Sequence, residues 1–210
     1  MSEQYYRELA AAFVRGRLAQ TSEDADLDAL IRRGRAAGLK LHKFKRSAEL
    51  PRVRKVIGIL RAIAPDRLLD IGSGRGTFLW PLVDAFPSLH VTAIDRAAGR
   101  AADLGAVARG GITRLQAVRM DAHALAFADG SFDVVTMLEV LEHVADPARA
   151  AAEALRVARG FVVASVPSKP DDNPEHLRLF DARALERLFQ SAGRVQCEYV
   201  RSHIVMVARA

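Results

Sequence analysis

The sequence has few cysteines, few aromatic residues and no long apolar runs. Its single cysteine, Cys197, excludes an internal disulfide framework and a cysteine-rich zinc site. No uninterrupted apolar stretch approaches the roughly 18 residues of a membrane-spanning helix, and no basic-then-apolar leader opens the chain. These absences predict a soluble, cytoplasmic protein that does not bind membranes.

The 210 residues have the composition of an ordinary globular domain. Half of them are apolar and 27% are charged, which is far from the composition of disordered chains. A chain of this length forms one domain with room for a small appendage. We therefore expect a main domain over residues 51–210, preceded by helices and a basic loop in residues 1–50.

Positive charge is concentrated in one segment. Residues 32–61 contain eleven Lys or Arg and one acid, a charge of +10, which leaves −4 on the rest of a chain whose net charge is +6. Such a segment can bind RNA or another anionic partner, or it can be a solvated helical face and loop. Phe44 is its only aromatic residue for stacking bases, which favours the solvated face.

From residue 67 onward, short β-rich segments alternate with segments of helical composition. The predicted strands are 67–71, 90–95, 114–120, 132–138 and 160–166, with two more in 194–208 around a turn at Arg201-Ser202. The predicted helices are 3–20, 26–37, one from Pro51 to Pro65, 76–86, 97–108, 146–158 and 181–192. Continuous apolar strands separated by helices predict a doubly wound, mostly parallel α/β sheet. The one long irregular segment that the pattern predicts is 167–179.

The first predicted strand runs into a glycine-rich turn, LLDIGSGRGTF at residues 68–78. In open α/β sheets this turn lies beside the ligand. The glycines have the spacing GxGxG, whereas a dinucleotide fingerprint needs a glycine at position 77, where Thr77 stands. Asp70 would also oppose a pyrophosphate at the helix N-terminus. The turn therefore favours a ligand that carries both an ammonium and a carboxylate group.

The motif DIGSGRG at 70–76 resembles the first motif of class I S-adenosylmethionine-dependent methyltransferases, of the Methyltransferase-11 and Methyltransferase-23 type. Three later stretches resemble the family in the same order: Asp95, Met120-Asp121-Ala122, and FDVVTMLEVLEHV at 132–144. The resemblance covers residues 51–208. It implies a Rossmann-like sheet of seven strands, a methyltransferase domain at 51–210, and an N-terminal helical extension at 1–50 that forms a lid over the acceptor site.

The resemblance also implies how S-adenosylmethionine is held. The glycine turn would cradle the methionine portion, Asp95 would accept the ribose hydroxyls, and Asp121 would face the adenine amino group. Asp95 and Asp121 can alternatively be simple caps of a helix or turn. The implied cofactor-binding residues are Asp70, Gly72, Ser73, Gly74, Gly76, Asp95, Arg96, Met120, Asp121, Ala122 and Glu139.

The stretch EVLEHV and the loop after the fifth strand support two chemical hypotheses. In the first, His143 or His176 is a general base. In the second, Glu139, Glu142, His143 and His176 bind one Mg²⁺ or Mn²⁺ ion that acidifies a hydroxyl acceptor. The second set resembles the small-RNA 3′-terminal 2′-O-methyltransferases and, more loosely, the ubiquinone-pathway O-methyltransferases. A purely structural role for these side chains is the third alternative.

These features predict an S-adenosylmethionine-dependent methyltransferase that acts on a hydroxyl or amine of a small molecule. One alternative is an RNA 2′-O-methyltransferase with a divalent metal site, in which residues 32–61 bind RNA. The other is a non-catalytic protein that binds S-adenosylmethionine. Nothing in the sequence distinguishes a monomer from an oligomer.

Overall fold

The computed structural model describes residues 3–19, 26–44, 49–170 and 172–210. The helices are α1 (Glu3–Leu18), α2 (Leu27–Ala36), α3 (Pro51–Ile63), α4 (Leu79–Ala85), α5 (Ala98–Arg109), α6 (Pro147–Val157) and α7 (Ala182–Leu188), with a 3₁₀ turn at Leu41–Lys43. The strands are β1 (Arg67–Ile71), β2 (His90–Asp95), β3 (Leu115–Arg119), β4 (Phe132–Leu138), β5 (Ala158–Pro167), β6 (Arg194–Val200) and β7 (His203–Arg209). Within these residues, no helix combines the length and apolarity needed to cross a membrane.

One seven-stranded sheet has the order β3-β2-β1-β4-β5-β7-β6. The strands β1 to β5 are parallel, and β7 is antiparallel to both β5 and β6. In register, Ile71 of β1 pairs with Ile94 of β2 and with Met137 of β4, so these three strands end at the same level. The doubly wound, mostly parallel, Rossmann-like seven-stranded sheet predicted from the sequence is confirmed.

Helices cover both faces of the sheet because the central strands are apolar on both sides. One core lies between the sheet and helices α1, α3, α4 and α5, and the other lies under α6 and α7. Helix α4 begins at Leu79, three residues later than the predicted 76, because Gly76 still belongs to the preceding turn with φ +82°. The predicted helix 181–192 ends at Leu188.

The connection from β3 to β4, residues 120–131, contains neither helix nor strand. The sequence pattern did not identify it as a long irregular segment. Its backbone groups are bound by two side chains of α6: Arg156 donates to the carbonyl oxygens of Leu125 and Phe127, both at 2.8 Å, and Glu153 accepts from the Leu125 N–H at 2.7 Å. The hydrogen bonds from Arg156 also lower the pKa of the Glu153 carboxyl to about 2. Side chains therefore satisfy this backbone in place of a helix.

Helix α1 packs directly against α5. A Cβ atom on Gly16 would lie 1.9 Å from the carbonyl oxygen of Ala106, and one on Gly110 would lie 1.7 Å from that of Ala12. Because neither glycine has a Cβ, the two backbones come into contact. Helix α1 also belongs to the core that it shares with α3, α4 and α5, and in this core the ring of Phe13 lies 5.3 Å from that of Phe44. The division of the chain at residue 50 stays a prediction.

We expect Gly16→Ala to lower the free energy of unfolding by about 2 kcal/mol, because the added methyl group forces α1 away from α5. The control is Gly58→Ala in α3, where nothing lies within 4 Å of the new Cβ. That change should raise the free energy of unfolding by about 0.5–1 kcal/mol through helix propensity. Urea denaturation measures both values, and equal stability of the two variants would contradict the described packing of α1.

Candidate active site

A crevice of about 710 Å³ lies beyond the carboxyl ends of β1 to β4. Its walls are the segments that follow these four strands, the start of α3, and part of the loop between β5 and α7. The crevice includes the place where the strand order reverses, between β1 and β4. Ligands bind there in open α/β sheets, and the volume is in the range of small-molecule sites.

The glycine turn after β1 has most of its N–H groups occupied within the protein. The N–H groups of Gly72 and Ser73 donate to the carbonyl oxygen of Ile94, and that of Gly74 donates to a carboxylate oxygen of Asp95 at 3.0 Å. Since a phosphate cradle needs free N–H groups, this arrangement is unsuited to a phosphate ligand. The indole N–H of Trp80, in α4, donates to the carbonyl oxygen of Arg75 in the same turn at 3.0 Å.

Asp70 is buried behind this turn, and both of its carboxylate oxygens accept hydrogen bonds. The Ser73 hydroxyl donates to Oδ2 at 2.6 Å, and the Thr136 hydroxyl of β4 donates to Oδ1 at 2.7 Å. Burial raises the pKa of Asp70 to about 6 from its ordinary 3.8, although the two hydroxyls oppose the rise. The acid therefore fixes the turn to β1 and β4, and its direct contact with a ligand stays a prediction.

Asp95, at the end of β2, accepts the N–H groups of Gly74 at 3.0 Å and Ala97 at 2.8 Å. Asp95 is 5% exposed and lines the crevice. The N-cap of α5 is Ala97, so Asp95 does not cap that helix in the usual way. Each carboxylate oxygen has two lone pairs, so both can still accept a hydroxyl from a ligand.

Beyond β3, Asp121 is bound to His123, a residue that the sequence analysis did not single out. The carboxylate Oδ1 accepts the His123 backbone N–H at 2.9 Å and lies 2.6 Å from the ring Nδ1. These contacts lower the pKa of Asp121, and the hydrogen bond from the His123 backbone N–H has the largest effect. The Asp146 N–H approaches the other ring nitrogen at 3.4 Å, so Nδ1 carries the ring proton.

Glu139 follows β4 with a left-handed backbone, φ +58°. Its Oε1 accepts the Ser165 hydroxyl at 2.7 Å, and its Oε2 lies 3.1 Å from Nε2 of His203. The Arg52 guanidinium, at the start of α3, is 3.8 Å from Oε1. Both Arg52 and Glu139 line the crevice, and Arg52 is a second residue that the sequence analysis missed.

Glu142, His143 and His176 converge a few residues further on. One potential ligand atom from each lies within 4.8 Å of the others. The His143 Nδ1 donates to the Glu175 carbonyl oxygen at 2.9 Å, so its Nε2 has a free lone pair. Glu139, predicted as a fourth metal ligand, is not in this group, because its left-handed backbone directs the carboxylate toward Ser165 and His203.

The loop between β5 and α7 is fixed to the turn that contains His143. The Leu177 N–H donates to the Glu142 carbonyl oxygen at 2.8 Å, and Arg178 donates to the carbonyl oxygens of Val144 and Ala145 at 2.8 and 3.1 Å. This docking brings part of the loop into the crevice wall.

Most of the predicted site residues lie together in the crevice wall. Those that line it are Asp70, Gly72, Ser73, Gly74, Asp95, Arg96, Met120, Asp121, Ala122, Glu139 and His143. Gly76, Glu142 and His176 are not among the lining residues. A Cβ on Gly76 would lie 2.1 Å from the Trp80 ring, so Gly76 allows the turn to rest on that side chain.

The described parts of residues 1–50 contribute no lining residue to this crevice. The helical lid therefore stays a prediction. In the basic segment, Lys43 pairs with Asp103 and Lys55 with Glu198, while Lys45 and Arg46 lie outside the described residues. RNA binding by residues 32–61 likewise stays a prediction.

Comparison with known proteins agrees with this architecture. A family model described as a methyltransferase domain matches residues 69–162. A demethylmenaquinone methyltransferase of Renibacterium salmoninarum is 36% identical over 123 residues, 58% of this chain and 49% of that protein. A ubiquinone biosynthesis O-methyltransferase of Albidiferax ferrireducens is 42% identical over 97 residues, 44% of this chain and 36% of that protein. The chain spans about half, or less, of the length of these curated relatives.

Solved structures share the fold. The N-terminal domain of EvdMO1, crystallised in the presence of SAH and D-fucose, has a TM-score of 0.63 at 18% identity, over 77% of this chain and 84% of that one. The [4+2]-cyclase SpnF has a TM-score of 0.61 at 17% identity, over 74% of this chain and 81% of that one. These likenesses show the fold alone, and a fold does not determine the reaction.

The raised pKa of Asp70 predicts how stability depends on pH. Between pH 6 and 4 the folded carboxyl binds a proton and the unfolded one largely does not, so the contribution of Asp70 to stability rises as the pH falls. The variant Asp70→Asn cannot titrate. From pH 7.5 to 4.5, we expect the wild type to gain about 2 kcal/mol in free energy of unfolding relative to this variant. Urea denaturation at both pH values measures the gain, and a constant difference would contradict the burial of the carboxylate.

Proposed function

Because the chain belongs to the class I S-adenosylmethionine-dependent methyltransferases, we propose that it transfers a methyl group from S-adenosylmethionine to a hydroxyl or amine of a small molecule. The crevice beyond β1 to β4 holds both reactants. The observation that carries the proposal is the order of acidic and glycine-rich strand ends along this crevice. From β3 through β2 and β1 to β4, they are Asp121, Asp95, the glycine turn and Glu139.

This order matches the parts of the cofactor. Asp121 binds the adenine amino group, Asp95 binds the ribose hydroxyls, and the methionine portion lies against the glycine turn. Vicinal hydroxyls are good donors to a carboxylate whose remaining lone pairs are free, as those of Asp95 are. Met120 and Ala122 provide an apolar surface for the adenine ring.

Arg52 and Glu139 bind the charged end of the methionine portion. The turn N–H groups of Gly72, Ser73 and Gly74 already donate within the protein, and both oxygens of Asp70 accept hydroxyls. The ligand carboxylate therefore needs a donor outside the turn, and the ammonium needs a carboxylate beside that donor. The guanidinium of Arg52 and the carboxylate of Glu139 have the required opposite charges at this end of the crevice.

S-adenosylmethionine supplies an electrophilic methyl group on a sulfonium. The residues of this chain align the acceptor, exclude water and remove the acceptor proton. His143 is the general base, because it lines the crevice and its Nε2 has a free lone pair while Nδ1 is bound to the loop. When the acceptor is a hydroxyl, Nε2 of His143 would take up its proton as the methyl group is transferred.

The acceptor is a small molecule, and the name of the ubiquinone biosynthesis O-methyltransferase makes hydroxylated quinone precursors the first compounds to test. The leucine at the crevice mouth, Leu177, is 57% exposed and can contact an apolar part of such an acceptor. His176 lies behind His143, with the ring centroids 4.7 Å apart, and helps to fix the ring of the base.

Isothermal titration calorimetry with S-adenosylmethionine tests the cofactor site. We expect saturable binding to the wild type and at least about tenfold weaker binding to Asp95→Ala, because two hydrogen bonds to a carboxylate are lost. The control is Asp66→Ala, which changes an exposed acid immediately before the start of β1, at the end of the strand away from the crevice. This control should bind like the wild type. Equal affinities of wild type and Asp95→Ala would contradict the site.

A metal-assisted variant of the reaction is favoured by one observation, the convergence of Glu142, His143 and His176. The bond from His143 Nδ1 to a backbone carbonyl is typical of histidines that bind a metal through Nε2. These three residues would hold the ion, and the ion would acidify a hydroxyl acceptor. Two imidazoles with one carboxylate suit Mn²⁺ or Zn²⁺ better than Mg²⁺.

Calorimetric titration with MnCl₂ and ZnCl₂, without cofactor, tests this site. We expect one ion per chain, and at least about tenfold weaker binding to His176→Ala because a ligand is removed. The control is His42→Ala, an exposed histidine of the 3₁₀ turn. If neither ion binds the wild type, the metal hypothesis is wrong and the general-base mechanism stands.

A further inference from the structure

The carboxylate of Glu139 is held by three elements that are distant in the sequence. Ser165 of β5 donates to Oε1, His203 of β7 contacts Oε2, and Arg52 of α3 approaches Oε1 at 3.8 Å. The backbone of Glu139 is strained, with φ +58°, and its N–H donates to the Ser165 carbonyl oxygen at 2.9 Å. Strained residues that are fixed on every side are typical of functional sites.

The ring of His203 is oriented to donate to Glu139. Its Nδ1 lies 3.3 Å from the Ser202 hydroxyl, which can donate to it, and its Nε2 lies 3.1 Å from the Glu139 carboxylate, which can only accept. The neutral ring therefore carries its proton on Nε2. His203 pairs with Pro167 at the end of β5, so the sheet fixes its backbone. Its side chain is 20% exposed, and the residue is not in the crevice wall.

Arg52 is the natural competitor for the Glu139 carboxylate. An arginine beside a glutamate tends to form a bidentate pair with short hydrogen bonds, and such a pair would leave both groups less available to a ligand. Here the distance is 3.8 Å, and Oε2 is occupied by His203 instead. Both charges therefore remain open to the crevice that they line.

We propose that His203 is a positioning residue, which holds the Glu139 carboxylate apart from Arg52 so that the pair can bind the zwitterionic end of S-adenosylmethionine. The proposal rests on the proposed function, because it takes S-adenosylmethionine as the ligand. His203 acts only through Glu139 and touches neither the cofactor nor the acceptor. It gives the hairpin of β6 and β7 a role in the site.

The test is a double-mutant cycle on the affinity for S-adenosylmethionine, measured by calorimetry without an acceptor. The variants are His203→Ala, His203→Gln, Glu139→Gln and the double variant His203→Ala/Glu139→Gln. We expect His203→Ala to weaken binding about fivefold, as for loss of one partly exposed hydrogen bond to a charged group. His203→Gln keeps an N–H donor and should bind within about twofold of the wild type.

The coupling between the two residues separates positioning from a general structural role. In the Glu139→Gln background, His203→Ala should have almost no further effect on affinity, because the carboxylate that it orients is gone. A fivefold loss in both backgrounds, or no loss in either, would overturn the proposal while the proposed function stands. If the wild type does not bind S-adenosylmethionine, the proposed function fails as well. His90→Ala, at the opposite end of the sheet, is the control and should bind like the wild type.

If His203→Ala does not fold, His203→Gln and His203→Leu still test the proposal. Leucine fills a similar volume without a donor, so only glutamine should retain the affinity. Thermal unfolding of each variant is recorded beside the titration. Equal affinities of the glutamine and leucine variants would show that the donor is not required.

Discussion

The site depends on one buried carboxylate and the two hydroxyl groups that it requires. Burying a charged carboxyl is costly unless its oxygens accept hydrogen bonds. Asp70 can be accommodated only while Ser73 and Thr136 donate to it, which fixes the glycine turn to β1 and β4. The next residue, Gly74, donates to Asp95 at the end of β2. A short chain of hydrogen bonds thus sets three strand ends relative to one another, and the crevice follows from it.

Charge around this crevice is divided between structural and open groups. Asp70 and Asp95 each accept one hydrogen bond per carboxylate oxygen, from side-chain hydroxyls at Asp70 and from backbone N–H groups at Asp95. Arg52 and Glu139 lie close without a tight pair, since Ser165 and His203 bind the carboxylate first. Because Arg52 and Glu139 do not form a tight pair with each other, both charges remain suited to a charged ligand.

The sequence predicts what depends on local pattern. The strand ends, and with them Asp95 and Asp121, follow from continuous apolar runs, because the carboxyl ends of parallel strands share one edge of the sheet. Contacts between distant segments have no such pattern, which is why Arg52 and His203 were missed. Glu139 was grouped with Glu142 as a metal ligand on the resemblance of the EVLEHV stretch, which carries no sign of the left-handed backbone at Glu139. The connection 120–131 was not identified as a long irregular segment. Its backbone groups are bound by Arg156 and Glu153 of α6, and contacts from a distant helix leave no local pattern in the sequence.

A series of aromatic contacts connects α1 to the glycine turn of the crevice. Phe13 packs against Phe44, whose ring lies 5.4 Å from that of Trp80, and Trp80 donates to Arg75 in the glycine turn. The first helix thus supports the turn indirectly, through Phe44 and Trp80. A shortened protein that starts at residue 51 would lose Phe13 and Phe44 together and expose one side of the indole to water. A shortened version of this chain that is meant to keep the crevice intact should therefore retain the N-terminal helix.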